Sequence, residues 1–408
     1  MNKMRSIYLL IPLLSLMLGF YSSVSAQNHD RIWYYGRYDS LSPFPQGGKI
    51  DFNFAPPQAM PTDRPVTLNA YAHIMSDSAG TQVLYFSDGY NIYNRDNEAM
   101  LNGDTINEGY WIGVGQPDEI TYSGLSVPSP YLENNYLYFH HEAGNDLDWI
   151  VRNNLYFSQI DMEEEDGKGA VVIKDSLIWN GRFAGFGLTK AGDGAEWWML
   201  VVDYDSPVVN TYTIDEMGVS LHHVDTLLLP NYSFLSAEER NFSYSGFSPD
   251  GTQFLLFDEG EGLIVLDFDR CSGQFNDAFF RPIPAMNRTS LAFSPNARFA
   301  YINSLENLVQ VDLNSMEQGI VLDTIANWDG AFPLGNPFFA DLFAYSQLAP
   351  DGKVYIASVA SASLHVIERP NLPGQACGFR QLAFNLPTGN FNSIPHFPNY
   401  RLEPLDCD

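Results

Sequence analysis

Basic residues are scarce in this chain. Only 21 Lys and Arg stand against 49 Asp and Glu, and the 408 residues carry a formal charge of -28. Nucleic-acid binding needs clustered cations to neutralise phosphate, so nucleic acid is not an expected partner. Charged residues of both signs make up only 17% of the chain. That is too few for a coiled coil or a solvated helical bundle, and 45% hydrophobic residues is not the composition of a disordered chain. Cysteine is nearly absent, with three residues at 271, 377 and 407. Three thiols allow one bridge with one left over. Cys377 with Cys407 is the expected pair, because it would tie down the C-terminal tail. Beyond residue 26 no apolar run approaches the roughly 20 residues a spanning helix needs, so no membrane span is expected.

Standard catalytic signatures are missing too. There is no Gly-x-Ser-x-Gly elbow, no phosphate loop and no His-Glu-x-x-His. His141-Glu142 is followed by Ala143-Gly144-Asn145, so the second metal ligand of a zincin is absent. Gly185-Phe186-Gly187 is too short for a nucleotide loop. Ser248 to Thr252 resembles a sialidase aspartate box, but Gly251 follows Asp250 directly and Phe254 takes the apolar place. It reads as an ordinary hairpin turn. No Ser/Gly or Pro-rich tract separates two folded halves, so one domain is expected over residues 27–408.

What the chain has in quantity is aromatic and turn-forming residues. Aromatics reach 14%, with 32 Gly and 25 Pro, which suits short strands joined by tight turns. The first 26 residues read as a signal peptide. Lys3 and Arg5 form the basic region, Ile7 to Tyr21 the apolar core, and Val24-Ser25-Ala26 the small-residue cleavage site before Gln27. A membrane anchor is the alternative, and the apolar stretch is short for one.

Internal recurrence carries the fold. Phe247-Ser248-Pro249-Asp250-Gly251, Phe293-Ser294-Pro295-Asn296-Ala297 and Leu348-Ala349-Pro350-Asp351-Gly352 each precede an apolar strand. Proline presets the first turn dihedral, and Asp or Asn followed by Gly supplies the reversal. A third strand follows each hairpin at Leu263 to Phe268, Leu308 to Leu313 and Leu364 to Ile367. Weaker copies lie upstream, so that Ser76, Ser129, Thr189, Ser248, Ser294 and Ala349 recur every 46 to 60 residues. A repeat of about 50 residues with four strands is the signature of a β-propeller. The fold class is therefore all-β, a single propeller. Residues 27–70 and 387–408 together suffice for one more blade. Seven four-stranded blades are expected, with six as the alternative, closed by a blade assembled from N- and C-terminal strands that include part of Phe391 to Leu402. Two β-sandwiches would explain the repeat less well.

Several segments look familiar as a set. Tyr85-Phe86-Ser87-Asp88-Gly89-Tyr90-Asn91-Ile92-Tyr93-Asn94-Arg95, Ile32-Trp33-Tyr34-Tyr35-Gly36, Phe268-Asp269-Arg270-Cys271 and the tail Pro395-His396-Phe397-Pro398-Asn399-Tyr400-Arg401-Leu402 resemble blades of secreted Bacteroidota β-propeller proteins, a WD-repeat-like or TolB-like propeller region. In that family the propeller usually precedes polycystic-kidney-type repeats and a type IX secretion sorting domain. This sequence ends at Asp408 with neither. The resemblance implies a propeller outside the cell or on its surface, with the periplasm as the alternative. It implies no catalytic residue.

Candidate ligand-binding residues are aromatics in loops and one histidine. Trp149, Trp328, Trp111 and Tyr110 lie in expected loops and could stack on sugar rings or anchor a protein interface. His140 ends the strand Tyr136 to Phe139, where a propeller strand meets a loop. The adjacent pairs His140-His141 and His222-His223 would point to opposite faces of a strand, so neither chelates one metal; one packed and one solvated ring is expected of each. Trp197 and Trp198 are strand neighbours and expected core residues. Asn145, Asp146 and Asp148 share one loop and form the candidate calcium site, since calcium takes oxygen ligands; no other cofactor is expected. Asp161 to Asp166 reads as a solvated hairpin tip.

These features predict an exported, non-enzymatic binding or scaffold propeller, monomeric, that recognises a protein or a glycan through its rim loops. The alternative is an extracellular polysaccharide hydrolase or lyase with an axial active site. An enzyme would bring Asp, Glu, His or Arg from several blades to the axis; a scaffold would not.

Overall fold

The structure is a computed structural model. It describes residues 27–36, 47–68, 73–107, 124–143, 152–232, 242–286, 290–314, 322–330, 332, 340–358, 361–390 and 392–407. The first sheet holds β1 (Ile32–Tyr35), β2 (Gly48–Asp51) and β3 (Gln58–Pro61). The second holds β4 (His73–Ser76), β5 (Val83–Ser87) and β6 (Ile92–Asn94). The third consists of β7 (Leu125–Pro128), β8 (Asn135–Ala143), β9 (Arg152–Asp161) and the first part of β10 (Ala170–Lys190). The rest of β10 opens the fourth sheet, with β11 (Trp197–Asp203), β12 (Val208–Asp215) and β13 (Gly218–Thr226).

Three further four-stranded sheets follow. The fifth is β14 (Phe242–Phe247), β15 (Gln253–Asp258), β16 (Gly262–Asp269) and β17 (Gln274–Pro282). The sixth is β18 (Ser290–Phe293), β19 (Phe299–Asn303), β20 (Asn307–Asp312) and β21 (Leu322–Asn327). The seventh is β22 (Phe343–Leu348), β23 (Val354–Ser358), β24 (Ser361–Ile367) and β25 (Phe379–Asn390).

Leading strands of successive sheets lie side by side: β1 with β4, β4 with β7, β10 with β14, β14 with β18, and β18 with β22. The sheets radiate as a β-propeller. The ring closes where β25 passes β2 and β3, and the Thr388 hydroxyl donates to Tyr35 Oη at 3.2 Å. The expected blade count needs correction. Five four-stranded blades form, not seven, and the N-terminal residues make two three-stranded sheets among the described residues. The closing blade is not shared between the termini either. The first sheet contains N-terminal strands alone, and residues 392–402 form no strand.

The recurring turns form as their chemistry dictates. Ser248 Oγ donates to Asp250 Oδ1 at 2.6 Å and the Gly251 N–H to Ser248 O at 2.8 Å. Gly251 has φ +73°, and a Cβ there would fall 2.4 Å from Thr189 Oγ1, so only glycine fits. Ser294 with Asn296 repeats the side-chain bond at 2.7 Å, and Gly352 N–H donates to Ala349 O at 2.9 Å.

Each blade is covered on both faces by its neighbours. Trp197 joins the core shared with Tyr136 and Tyr400, while Trp198, on the other face of β11, joins the core containing Phe254 and Phe268. Both are buried, as their sequence reading requires.

The disulfide links Cys271 to Cys407, not Cys377 to Cys407. Cys377 is a buried free thiol, packed with Phe299, Tyr301 and Ile367 in the core between the sixth and seventh sheets. The tail leaves β25, crosses the molecule and emerges beside the turn after β16, out of reach of Cys377. Here the Leu405 N–H donates to Gly192 O at 2.7 Å. The bridge closes a span of 136 residues. Cys407→Ser should therefore destabilise by about 2–5 kcal/mol, read from urea midpoints. Adding reductant to the native protein should reproduce the loss and leave the variant unchanged.

Candidate functional site

The protein's own C-terminal segment packs against four of the sheets. His396 lies 5.8 Å from the Tyr244 ring on β14. Phe397 packs against Trp33 of β1 at 6.4 Å. Tyr400 Oη donates to Ser126 O on β7 at 2.8 Å, and its ring lies 6.0 Å from Trp197 on β11. A short segment that touches the first, third, fourth and fifth sheets lies between them. Asn399 donates to Pro249 O, and Arg401 pairs with Asp30, with Nη1 at 2.9 Å from Oδ2. Pro395 and Pro398 lack the N–H that a strand ladder uses, so the segment runs as coil. That proline spacing was the signal against reading a strand there.

His140 occupies the interior, not a ligand surface. It is fully buried. Nδ1 lies 2.5 Å from Asn107 Oδ1 and Nε2 lies 2.9 Å from Ser158 Oγ, with Asp175 Oδ1 at 3.6 Å. Both ring nitrogens are engaged, and burial, followed by the nearby His141, pushes its pKa down to about 3. His141 is buried as well. The expectation of one packed and one solvated ring fails at this pair because β8 has a neighbouring blade on each face. At the other pair, His222 is exposed and its Nε2–H donates to Ser272 O at 3.0 Å, and His223 is half-buried beside Asp225 at 3.1 Å. Of the expected solvated tip Asp161 to Asp166, Glu163 to Asp166 are exposed at the turn between β9 and β10, while Asp161 is half-buried and Met162 is buried.

Of the proposed aromatic platform, Trp328 is described. It follows β21, half-buried, and its ring meets that of Phe332 edge-on at 5.7 Å. Phe332 is 50% exposed. Beside them, Gln381 Nε2 donates to Asp329 Oδ1 at 2.7 Å. Tyr110, Trp111 and Trp149, and the candidate calcium ligands Asn145, Asp146 and Asp148, lie outside the described residues. Among the described residues, no group of three or more His, Cys, Asp or Glu is placed to hold a metal ion.

Sequence reasoning missed a second set of buried polar groups, at the starts of β4 and β9 and near the end of β8. His73, the first residue of β4, is fully buried and stacks on Tyr138 at 4.6 Å and 19°. Neither of its ring nitrogens has a hydrogen-bond partner among the described residues. Burial, then the neighbouring His396, pushes its pKa down to about 3. Arg152, the first residue of β9, donates from Nη1 to Ala184 O at 2.7 Å and Phe242 O at 2.8 Å. It thus ties the third sheet to β10 and β14. Its charge also acts, after burial, on His141 and His396, both pushed down to about 4. His141 Nδ1 lies 3.0 Å from Glu142 O while Nε2 has no partner among the described residues. These residues are far apart in sequence and belong to no spaced motif, so only the ring brings them together.

Comparison with solved structures supports the same architecture. A protein from Lactobacillus plantarum aligns at a TM-score of 0.50 and 14% identity, over 90% of this chain and 99% of its own. A candidate 6-phosphogluconolactonase from Bacteroides uniformis aligns at 0.53 and 13%, covering 89% and 98%. Another from Bacteroides fragilis aligns at 0.52 and 12%, covering 90% and 98%. The likeness is one of fold. At such identity the names of those proteins do not carry over to this one. No family model and no curated protein matches the sequence. No helix among the described residues is long and apolar enough to cross a membrane.

Proposed function

We propose that this protein is an exported, non-enzymatic binding propeller that recognises a protein or glycan on the rim loops of one face. The observation that carries the reading is the aromatic surface that follows β21, on the connection to the seventh sheet. The Trp328–Phe332 pair supplies exposed aromatic surface there, and aromatics anchor both sugar rings and protein interfaces. The Cys271–Cys407 bridge supports export, since disulfides persist in oxidising compartments.

A glycan array and a pull-down from envelope extract test the reading. Trp328→Ala with Phe332→Ala should weaken whichever binding is found by about tenfold or more, while leaving the urea midpoint nearly unchanged. Saturable binding that ignores both substitutions would move the site elsewhere.

One observation favours a hydrolase as the second reading: the chain shares its fold with two candidate 6-phosphogluconolactonases. Cleavage of a polysaccharide or of a sugar lactone by the purified protein, without saturable binding on the array, would support that reading and reject the first.

A further inference from the structure

We propose that residues 403–407 form a redox-released strap: reduction of the Cys271–Cys407 bridge by a dithiol frees them and uncovers Arg270, while the ring stays folded. This device goes beyond the binding reading above and does not rest on it.

Three observations carry it. First, the bridge stands at the surface. Cys271 and Cys407 are both exposed, and exposed disulfides are the ones that exchange readily with thiols. Second, the tail is held in two unlike parts. Ile394, Phe397 and Tyr400 are buried in the core, and Arg401 pairs with Asp30. Beyond them, residues 403–407 are all exposed. That stretch is tied by the bridge, by the Leu405 N–H donating to Gly192 O at 2.7 Å, and by Arg270 Nη2 donating to Glu403 O at 3.0 Å. Exposed backbone with few buried contacts opens at low cost, so the covalent link is what keeps the stretch closed. Third, the strap lies on two turns and covers a cation. A Cβ on Gly192 would fall 2.4 Å from Cys407 Sγ and 2.8 Å from Cys271 Sγ, and one on Gly194 would fall 2.7 Å from Pro404 Cγ. Both glycines belong to the turn between β10 and β11, and Cys271 to the turn between β16 and β17. Arg270 beneath them is only 3% exposed. Its guanidinium also donates to Lys190 O at 2.8 Å and Ala191 O at 3.2 Å. Those bonds hold Arg270 in place when Glu403 leaves.

The exchange balances without any further reactant. One thiolate of the dithiol attacks a sulfur of the bridge, the Sγ–Sγ bond breaks, and the other cysteine departs as a thiolate and takes up a proton. The second thiol of the reagent then displaces the first cysteine from the mixed disulfide. The bridge gains two electrons and two protons, and the dithiol is oxidised to its own disulfide.

Cys377 supplies an internal control. It is a buried free thiol in the core between the sixth and seventh sheets, so it reacts only if the ring opens. The mature chain is treated with a small dithiol at about pH 8, where thiols begin to ionise, without denaturant. Iodoacetamide is then added and the labelled peptides are quantified by mass spectrometry. Cys271 and Cys407 should be alkylated about tenfold or more faster than Cys377. In a parallel sample, phenylglyoxal labelling of Arg270 should rise about tenfold on reduction. Labelling of Arg380, whose side chain is 65% exposed, should not change. Cys271→Ser combined with Cys407→Ser should show the faster Arg270 reaction with no dithiol present. Alkylation of Cys377 in step with Cys407 would mean that the bridge holds the ring itself, and would overturn the proposal. An Arg270 still protected after reduction would show that the strap stays closed, and a bridge that resists the dithiol until denaturant is added would show that it is shielded. Either result would overturn it too.

Discussion

Lowering the pH from 6.5 to 5.5 is expected to remove on the order of 5 kcal/mol of folding free energy. Five histidines are held neutral inside the ring, and burial is the leading cause at each. His73 and His140 are pushed down to about 3, and His141, His365 and His396 to about 4. His29 is lowered in the same direction. In the unfolded chain these rings titrate near 6.5. Between about 6.5 and 4 the unfolded state therefore binds more protons than the folded one, and stability falls as pH falls. Each ring contributes about 1 kcal/mol over the first unit below 6.5. Asp88 and Asp341, raised by burial, act in the opposite sense. So does relief of the net negative charge. A carboxyl raised in the folded state takes up its proton above the unfolded value near 4, so these groups offset part of the loss. Against a typical total of about 5–15 kcal/mol, the loss is large. Urea midpoints at pH 7.5, 6.5 and 5.5 measure it: the drop over the first step is expected to be about a third of that over the second. Equal midpoints at 6.5 and 5.5 would show that the rings are hydrated and charged.

Tyr400→Ala should lower stability by about 3–5 kcal/mol, the usual range for removing a large buried aromatic side chain. Tyr400 is fully buried where the tail meets the third and fourth sheets. Its ring also meets His29 edge-on at 5.1 Å, so truncation opens a cavity against several sheets at once. Tyr400→Phe keeps the ring and loses only the bond to Ser126 O, so about 1 kcal/mol is expected. Urea unfolding of the two variants separates packing from hydrogen bonding. Limited proteolysis should cut the tail of the Ala variant sooner than that of the native chain. A Tyr400→Ala protein within 1 kcal/mol of native would mean that the tail is not held in the core by this ring.

Reading from sequence succeeded where structure is local. The Ser-Pro-Asp-Gly turn at 248–251 and its relatives form as their residues require, and the strands around them fall where the apolar runs stand, at β15, β16, β19, β20 and β23. It failed where a partner is distant. Alternation along β8 suggested one buried and one exposed histidine, yet both are buried because blades cover both faces. The run Phe391 to Leu402 has the aromatics of a strand, but Pro395 and Pro398 keep residues 392–402 out of any ladder, and they pack against several sheets. Cysteine pairing followed from that path. Once the tail crosses the ring, Cys407 meets Cys271, and Cys377 stays in the core.

By itself the amino-acid sequence determined the strand-and-turn repeat, and with it the propeller class. Turn chemistry and apolar periodicity act over a few residues and need no distant contact. The tertiary structure alone decided how many blades have four strands, where the C-terminal segment packs, which cysteines join and which histidines are buried. Each of those depends on residues from separate sheets, or from opposite ends of the chain, meeting inside a closed ring. No short-range pattern records such a meeting.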